Sequence, residues 1–275
     1  MDSYDVPSGS YAVQIIADSI NISGNRLTTF QLTYPRFIHP EFLTHRMISR
    51  NSQSSRAMPT SKILEQVQNN PVMPVEWGKN RKGMTAGEEL SSEDIKWCKL
   101  EWLTCRDTAV YIARILMDRG VHKQVVNRIL EPYSTITTIS TATDWLDFFR
   151  LRCAEDAQPE IRNLAMLMRD RYYENKPIDM GSVGWHLPYI TEDGSEEDID
   201  YPLSFHKIAR ISSARCARVS YLTHDGKRDI EKDLKLADML EKDRHMSPFE
   251  HSAMALPDGE RVANFSGFRS YRSML

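Results

Sequence analysis

Closely spaced cysteine pairs, a membrane-length apolar run and a basic excess are all missing from this sequence of 275 residues. Its four cysteines, Cys98, Cys105, Cys153 and Cys216, form no C-x-x-C pair, so they indicate neither a zinc site nor a disulfide framework and read as reduced thiols. No apolar run approaches the roughly 18 residues that a membrane span needs. The first ten residues, MDSYDVPSGS, lack the basic and apolar regions of a secretory signal. The expectation is a cytoplasmic protein without a membrane partner. A formal net charge of -3 and a pI near 6.3 oppose a protein that coats nucleic acid, because such proteins carry a broad basic surface. There is no H-E-x-x-H pair and no G-x-S-x-G elbow, which removes the common zinc-protease and hydrolase readings; no metal site is expected. Low-complexity tracts and short-period repeats are absent as well. What is present, 41% hydrophobic residues, is enough to bury the core of one large domain or two small ones.

Hydrophobic periodicity places the elements. RLTTFQLTYPR (26–36) alternates Leu27, Phe30, Leu32 and Tyr34 and reads as a strand ended by Pro35. FIHPEFL opens a helix; if it persisted, Arg46, Arg50 and Ser54 would share one face. Residues 56–90 hold three prolines and three glycines without sustained periodicity and read mostly as loop. The clearest helix starts at Ser91, with Asp94 completing a capping box, and ends at Gly120. Along it Ile95, Cys98, Trp102, Cys105, Ala109, Ile112 and Leu116 form a stripe expected to be buried, with two cysteines in the core. HKQVVNRIL reads as a short helix, STITTISTAT as a strand, and the segment from Asp144 to Tyr173 as helix broken near Pro159. The stretch 176–202, with its acidic run EDGSEEDID, reads as a linker or surface excursion. Ile230, Leu234, Ala237 and Leu240 mark a further amphipathic helix.

Against the negative overall charge, THRMISRNSQSSR (44–56) packs three arginines, one histidine and four serines into thirteen residues. His45, Arg46, Ser49, Asn51, Ser54 and Arg56 are groups that hold phosphate: guanidinium forks supply charged donors, and hydroxyl and amide groups complete a cradle. The plain alternative is an exposed polar loop. A second constellation is HMSPFEH (245–251). Pro248 opposes one helix through both histidines, so the plain reading is a helix start with Ser247 as cap and Pro248 at the first helical position.

The pattern H-R-x-x-S-x-N-x-x-S-x-R resembles the signature of the flavin-dependent thymidylate synthases. HMSPFEH is similar to their flavin segment H-x-[TS]-P-F-E-H, and SARCARVSY, which contains Ser220, to their A-A-R-V-S segment. In that family the last two precede the arginine-rich signature; here they follow it. The order implies a circularly permuted, phage-like member: one permuted catalytic domain over 1–275, its two units joined through 176–202, a change tolerated when termini lie close together at the surface. The implied fold is α/β (α+β), an antiparallel sheet packed with long helices. The implied reaction is reductive methylation of dUMP at C5, with FAD as cofactor and NADPH and methylenetetrahydrofolate as co-substrates. The implied assembly is a homotetramer, in the cytoplasm of the host cell if phage-encoded, with no stable nucleic-acid partner.

Carried over by motif, the resemblance implies that Arg152 polarises the pyrimidine with Ser54 beside it. Glu41, Ser52, Ser54, Arg56, Arg128 and Arg152 would hold the nucleotide, and His45, Arg46, Ser49, Ser220, His245, Ser247 and Glu250 the flavin. The plain reading of Arg128 and Arg152 is a pair of helix-surface ion pairs. Several positions depart from the family pattern. Thr44 stands where an arginine is usual, Glu41 where a glutamine is, Ser52 where a glutamate is, and Thr143, Asp147 and Asp156 where Arg, Asn and His face the flavin. Two expectations follow: that Arg269 or Arg272 near the C-terminus supplies the cation missing at Thr44, and that the carboxylate of Glu41 would suit dCMP, or a hydroxymethylated product, as an alternative to dUMP. A second alternative is a non-catalytic protein binding nucleotides or single-stranded nucleic acid.

Overall fold

The computed structural model describes residues 10–190, 205–219 and 229–275. Its centre is a five-stranded sheet in the order β3-β4-β2-β1-β5, formed by β1 (Ala12–Ile20), β2 (Arg26–Pro35), β3 (Ser49–Ser52), β4 (Thr135–Ala142) and β5 (Ile178–Asp179). All pairs are antiparallel except β1 with β5. The β1–β2 hairpin closes through Asn21, whose Oδ1 accepts from the amides of Ser23 and Asn25 while its Nδ2 donates to the carbonyls of Leu256 and Gly267. Gly24, at φ +80°, supplies the left-handed residue the turn requires.

β2 lies inside the sheet and is covered on both faces. Phe30, Leu32 and Tyr34 point to one side, where they pack with Ile136 against Trp145, Phe148 and Phe149 of α5 (Trp145–Arg152) and Leu164 and Met168 of α6 (Pro159–Glu174). Leu27 points to the other side, onto Ala253, Phe265 and Phe268. That second layer holds β6 (Trp185–His186), α7 (Phe205–Ala217), α8 (Ile230–Lys242), β7 (Ala253–Ala255), the ribbon of β8 (Arg261–Val262) and β9 (Phe265–Ser266), and β10 (Phe268–Ser270). A satellite core joins α2 (Thr60–Asn69), α3 (Ser92–Asp118) and α4 (Lys123–Leu130) through Leu64, Val67, Ala113, Val126 and Leu130. The antiparallel sheet packed with long helices is the fold class expected from the sequence.

A buried polar chain ties the second layer to the sheet. Ser19 Oγ lies 2.8 Å from His186 Nδ1, and His186 Nε2 lies 2.7 Å from Thr29 Oγ1. The Thr29 and Thr141 hydroxyls are 2.7 Å apart, and Thr141 Oγ1 is 2.8 Å from Nδ1 of His251, the second histidine of HMSPFEH. Burial holds both imidazoles at a pKa of about 3, so both are neutral at neutral pH. A neutral imidazole has one donor and one acceptor, and the hydroxyl chain satisfies both on His186; on His251 it satisfies Nδ1, while Nε2 is buried without a partner.

Five local expectations are corrected. The helix begun at FIHPEFL, α1 (His39–Leu43), stops before the cationic stretch: Thr44 Oγ1 folds back onto the Glu41 carbonyl at 2.7 Å, and residues 49–52 pair with β4. Arg46, Arg50 and Ser54 therefore share no helical face. Within 56–90, α2 forms because Ile63, Leu64 and Val67 fall on one side of a turn and bury against α3 and α4. On α3 the buried residues are Ala109, Val110 and Ala113, where α2 and α4 press on it; Cys98 is half-buried and Cys105 exposed. Ser247 makes no capping bond, because Ser247–Glu250 is a single 3-10 turn. Within 176–202, β5 and β6 pair as strands and His186 is wholly buried, so this part is packed into the body of the protein; the acidic run lies outside the described residues.

Candidate active site

The HMSPFEH turn sits against β3 at the edge of the main sheet. Asn51, on β3, makes the junction: its Nδ2 donates to the Cys216 carbonyl at the end of α7 at 2.9 Å, and its Oδ1 accepts from Ser247 Oγ at 3.4 Å. Beside this junction opens a cleft of about 460 Å³ whose polar lining is Asn51, Ser54, Arg244, His245, Ser247 and Arg272. Ala217, Leu240, Met246 and Pro248 form its apolar wall. The size and mixture are those of a small-molecule site, apolar surface with a few convergent polar groups.

Arg244 reaches the cleft through an unusual backbone. After α8 ends, the His245 amide donates to the Leu240 carbonyl at 2.9 Å and the Arg244 amide to the Glu241 carbonyl at 3.2 Å, the two bonds of a Schellman stop. The left-handed residue of that motif is usually glycine, yet here it is Arg244, at φ +58°. A non-glycine residue held there costs on the order of 1 kcal/mol.

A second cluster lies at the end of α1. Arg152, the last residue of α5, donates from Nε to His45 Nε2 at 2.8 Å and from Nη2 to Thr44 Oγ1 at 3.4 Å. His45 must then carry its proton on Nδ1. Burial first, and then the positive charges of Arg152 and Arg50, depress the His45 pKa to about 4, so the ring is a neutral acceptor at physiological pH. The edge of Phe148 supports it, 4.8 Å between centroids. Arg50 is fixed by the carbonyls of Phe42 and His45, and Arg272 is ion-paired with Glu250.

Of the residues predicted from sequence, Ser54, His245 and Ser247 are brought together in the cleft, and Arg152 and His45 are bonded to each other. Glu250 enters through its pair with Arg272, which lines the cleft; Arg269 does not. Ser49 is buried and accepts from Asn264 Nδ2 at 3.1 Å, and Ser52 accepts from Thr138 Oγ1 at 3.2 Å. Arg46 and Arg56 are exposed outside the cleft, and Arg128 is paired with Glu131 at 3.0 Å on the surface. Glu41 Oε2 is buried without a donor. Ser220 lies outside the described residues. The residue missed was Arg244. The signal for it was available, since the amphipathic pattern of α8 ends at Leu240 with no glycine after it to close the helix.

Fold and cleft together define a class first: a mixed α/β protein with a cationic, hydroxyl-rich, nucleotide-sized cleft where a second layer meets a sheet edge. The family model described as "Thymidylate synthase complementing protein" matches residues 27–178. The chain belongs to that family, the flavin-dependent thymidylate synthases, and is an enzyme of methyltransferase type. Similar solved structures include a UMP/dUMP methylase, PolB from Streptomyces cacaoi, bound with 5-Br UMP and, separately, with 5-Br dUMP. Each is 15% identical with a TM-score of 0.48, over 60% of this chain and 89% and 90% of theirs. No curated protein matches.

Proposed function

We propose that this enzyme methylates a deoxypyrimidine monophosphate, dUMP, at C5, taking the one-carbon unit from methylenetetrahydrofolate. FAD is the cofactor and NADPH the reductant that renews it. The family match over 27–178, which contains the whole cationic signature, carries this reading. The donor set fits a flavin and a nucleotide: two arginines, two serines, an asparagine and a histidine line one cleft. His45, Arg46, Ser49, Ser220, His245, Ser247 and Glu250 are assigned to the flavin by motif, and of these His245 and Ser247 line the cleft. Ser54, Arg56, Arg128, Glu41 and Ser52 are assigned to the nucleotide in the same way.

When bound, the reduced flavin supplies the hydride equivalent that completes the methyl group. The protein's own part is orientation and charge. Neutral His45 accepts from Arg152 Nε and Thr44 from Nη2, which fixes the guanidinium plane and leaves Nη1 for the pyrimidine. A fixed positive charge there stabilises negative charge developing on the ring. No cysteine lines the cleft, and burial pushes the thiol of Cys216 far up, so neither residue chemistry nor placement offers a thiolate nucleophile at this position.

The chain order is read as a circular permutation over 1–275, with 176–202 joining the two units. Its support is spatial: HMSPFEH, last in sequence, packs on Asn51 of the signature. Trp97, Leu100 and Tyr111 of α3, each at least 60% exposed, support a homotetramer, in which such a helix would be covered. One observation favours dCMP as a second substrate: the unpaired buried oxygen of Glu41 would accept from an exocyclic amine. The cytoplasm, of a host cell if the chain is phage-encoded, is the proposed location. The test is an omission series. Product from dUMP should require FAD, NADPH and methylenetetrahydrofolate together, and product formed without flavin would defeat the reading.

A further inference from the structure

We propose that Arg244 and Arg272 form a clamp for a phosphoanion, a clamp built by the C-terminal segment and contained in no part of the cationic signature. It deepens the reading above and rests on it only for which nucleotide brings the phosphate.

Arg244 and Arg272 line the same cleft as Ser54, Ser247 and Asn51. Arg272 is ion-paired with Glu250, which fixes its fork and leaves further N–H donors. Arg244 is exposed, and among the described residues no carboxylate is paired with it. Two cations approach one space while only one has a counter-charge, so the cleft is left with a net positive charge for a ligand to neutralise.

The backbone points the same way. A Schellman stop is easiest with glycine, and an arginine placed there must hold a left-handed conformation. Favourable interaction with the helix C-terminus does not account for the choice, because Lys242 already supplies a cation in the last turn of α8 without leaving the helical region. What position 244 offers beyond that is place: it borders the cleft, which Lys242 does not. The anion need not come near Thr44, where the expected arginine is missing and the hydroxyl instead receives Arg152. Of the two C-terminal arginines expected to compensate, the structure selects Arg272, and it adds Arg244.

The experiment is titration calorimetry of the full chain with inorganic pyrophosphate, FAD and dUMP in turn, for the parent protein and for R244G, R244K and R272Q. Loss of a charge-assisted contact should weaken pyrophosphate about tenfold in R244G and in R272Q. R244K should recover part of it, and R244G should melt at the same temperature as the parent or higher, since glycine suits the left-handed site. Whichever of FAD and dUMP loses affinity alongside pyrophosphate is the ligand whose phosphate docks there. Pyrophosphate binding that depends on Arg244 in a protein that binds neither FAD nor dUMP would support the clamp while sinking the proposed function. Equal pyrophosphate affinity in parent and R244G, or no pyrophosphate binding by the parent, would overturn the clamp.

Discussion

Acidification should unfold this protein well before its carboxylates are protonated, because of the histidines that stitch the two layers together. His186 and His251 are fully buried, and burial depresses both from 6.5 to about 3. His39 and His45 are held at about 4 by burial and by neighbouring arginines. Where the folded pKa lies below the unfolded one, the unfolded chain takes up protons first. Stability is therefore complete above about pH 6.5 and falls as the pH drops toward the folded values. Between about pH 6.5 and 5 each such histidine withdraws roughly 2 kcal/mol, so the two buried ones alone remove about 4 kcal/mol, a large share of a domain's usual margin. Glu160, whose carboxyl burial raises, pulls in the opposite direction and softens the slope at its acid end. The assay is a series of urea midpoints from pH 7.5 to 5, read beside the imidazole proton resonances of the eight histidines. A midpoint that does not move over this range, or titration of all eight resonances near 6.5, would refute the reasoning.

Further outcomes follow from the same geometry. T141V keeps shape but strands His251 Nδ1 in the interior and leaves the Thr29 hydroxyl with His186 alone; it should cost about 2–4 kcal/mol in urea unfolding, whereas T137V, at a part-buried hydroxyl pair, should cost under about 1. R152K removes the planar fork; turnover should fall by roughly 10²-fold with the urea midpoint almost unchanged, and in R152A the His45 resonance should titrate above about 4 because a neighbouring charge is gone. Unaltered turnover in R152K would remove Arg152 from the chemistry.

How much of this was legible in the sequence depended on the range of the interaction. The alternation of β2 and the caps of α3 are local, and both were readable from the chain alone. Whether the FIHPEFL helix persists into the cationic stretch is not legible in the sequence, because the hydrophobic residues there are too few to set a period; its conformation is decided by pairing with β4, a partner more than eighty residues away. Cys105 was misplaced for the reverse reason: α3 carries apolar residues all round, and periodicity alone does not say which of them other elements cover. The site divided in the same way. Motif order revealed that HMSPFEH and the signature belong together, and the Asn51–Ser247 contact puts them side by side. Arg244 was invisible to motif reasoning, since its importance lies in a backbone conformation and a cleft assembled from four separate stretches of chain.

The most direct test of the account is the mass of the nucleotide product after the purified protein is given equal dUMP and dCMP with FAD, NADPH and methylenetetrahydrofolate. The account predicts one added methyl group on dUMP, dependent on flavin and formed roughly 10²-fold more slowly by R152K. Intact dUMP and dCMP, with flavin bound and every co-substrate present, would contradict it.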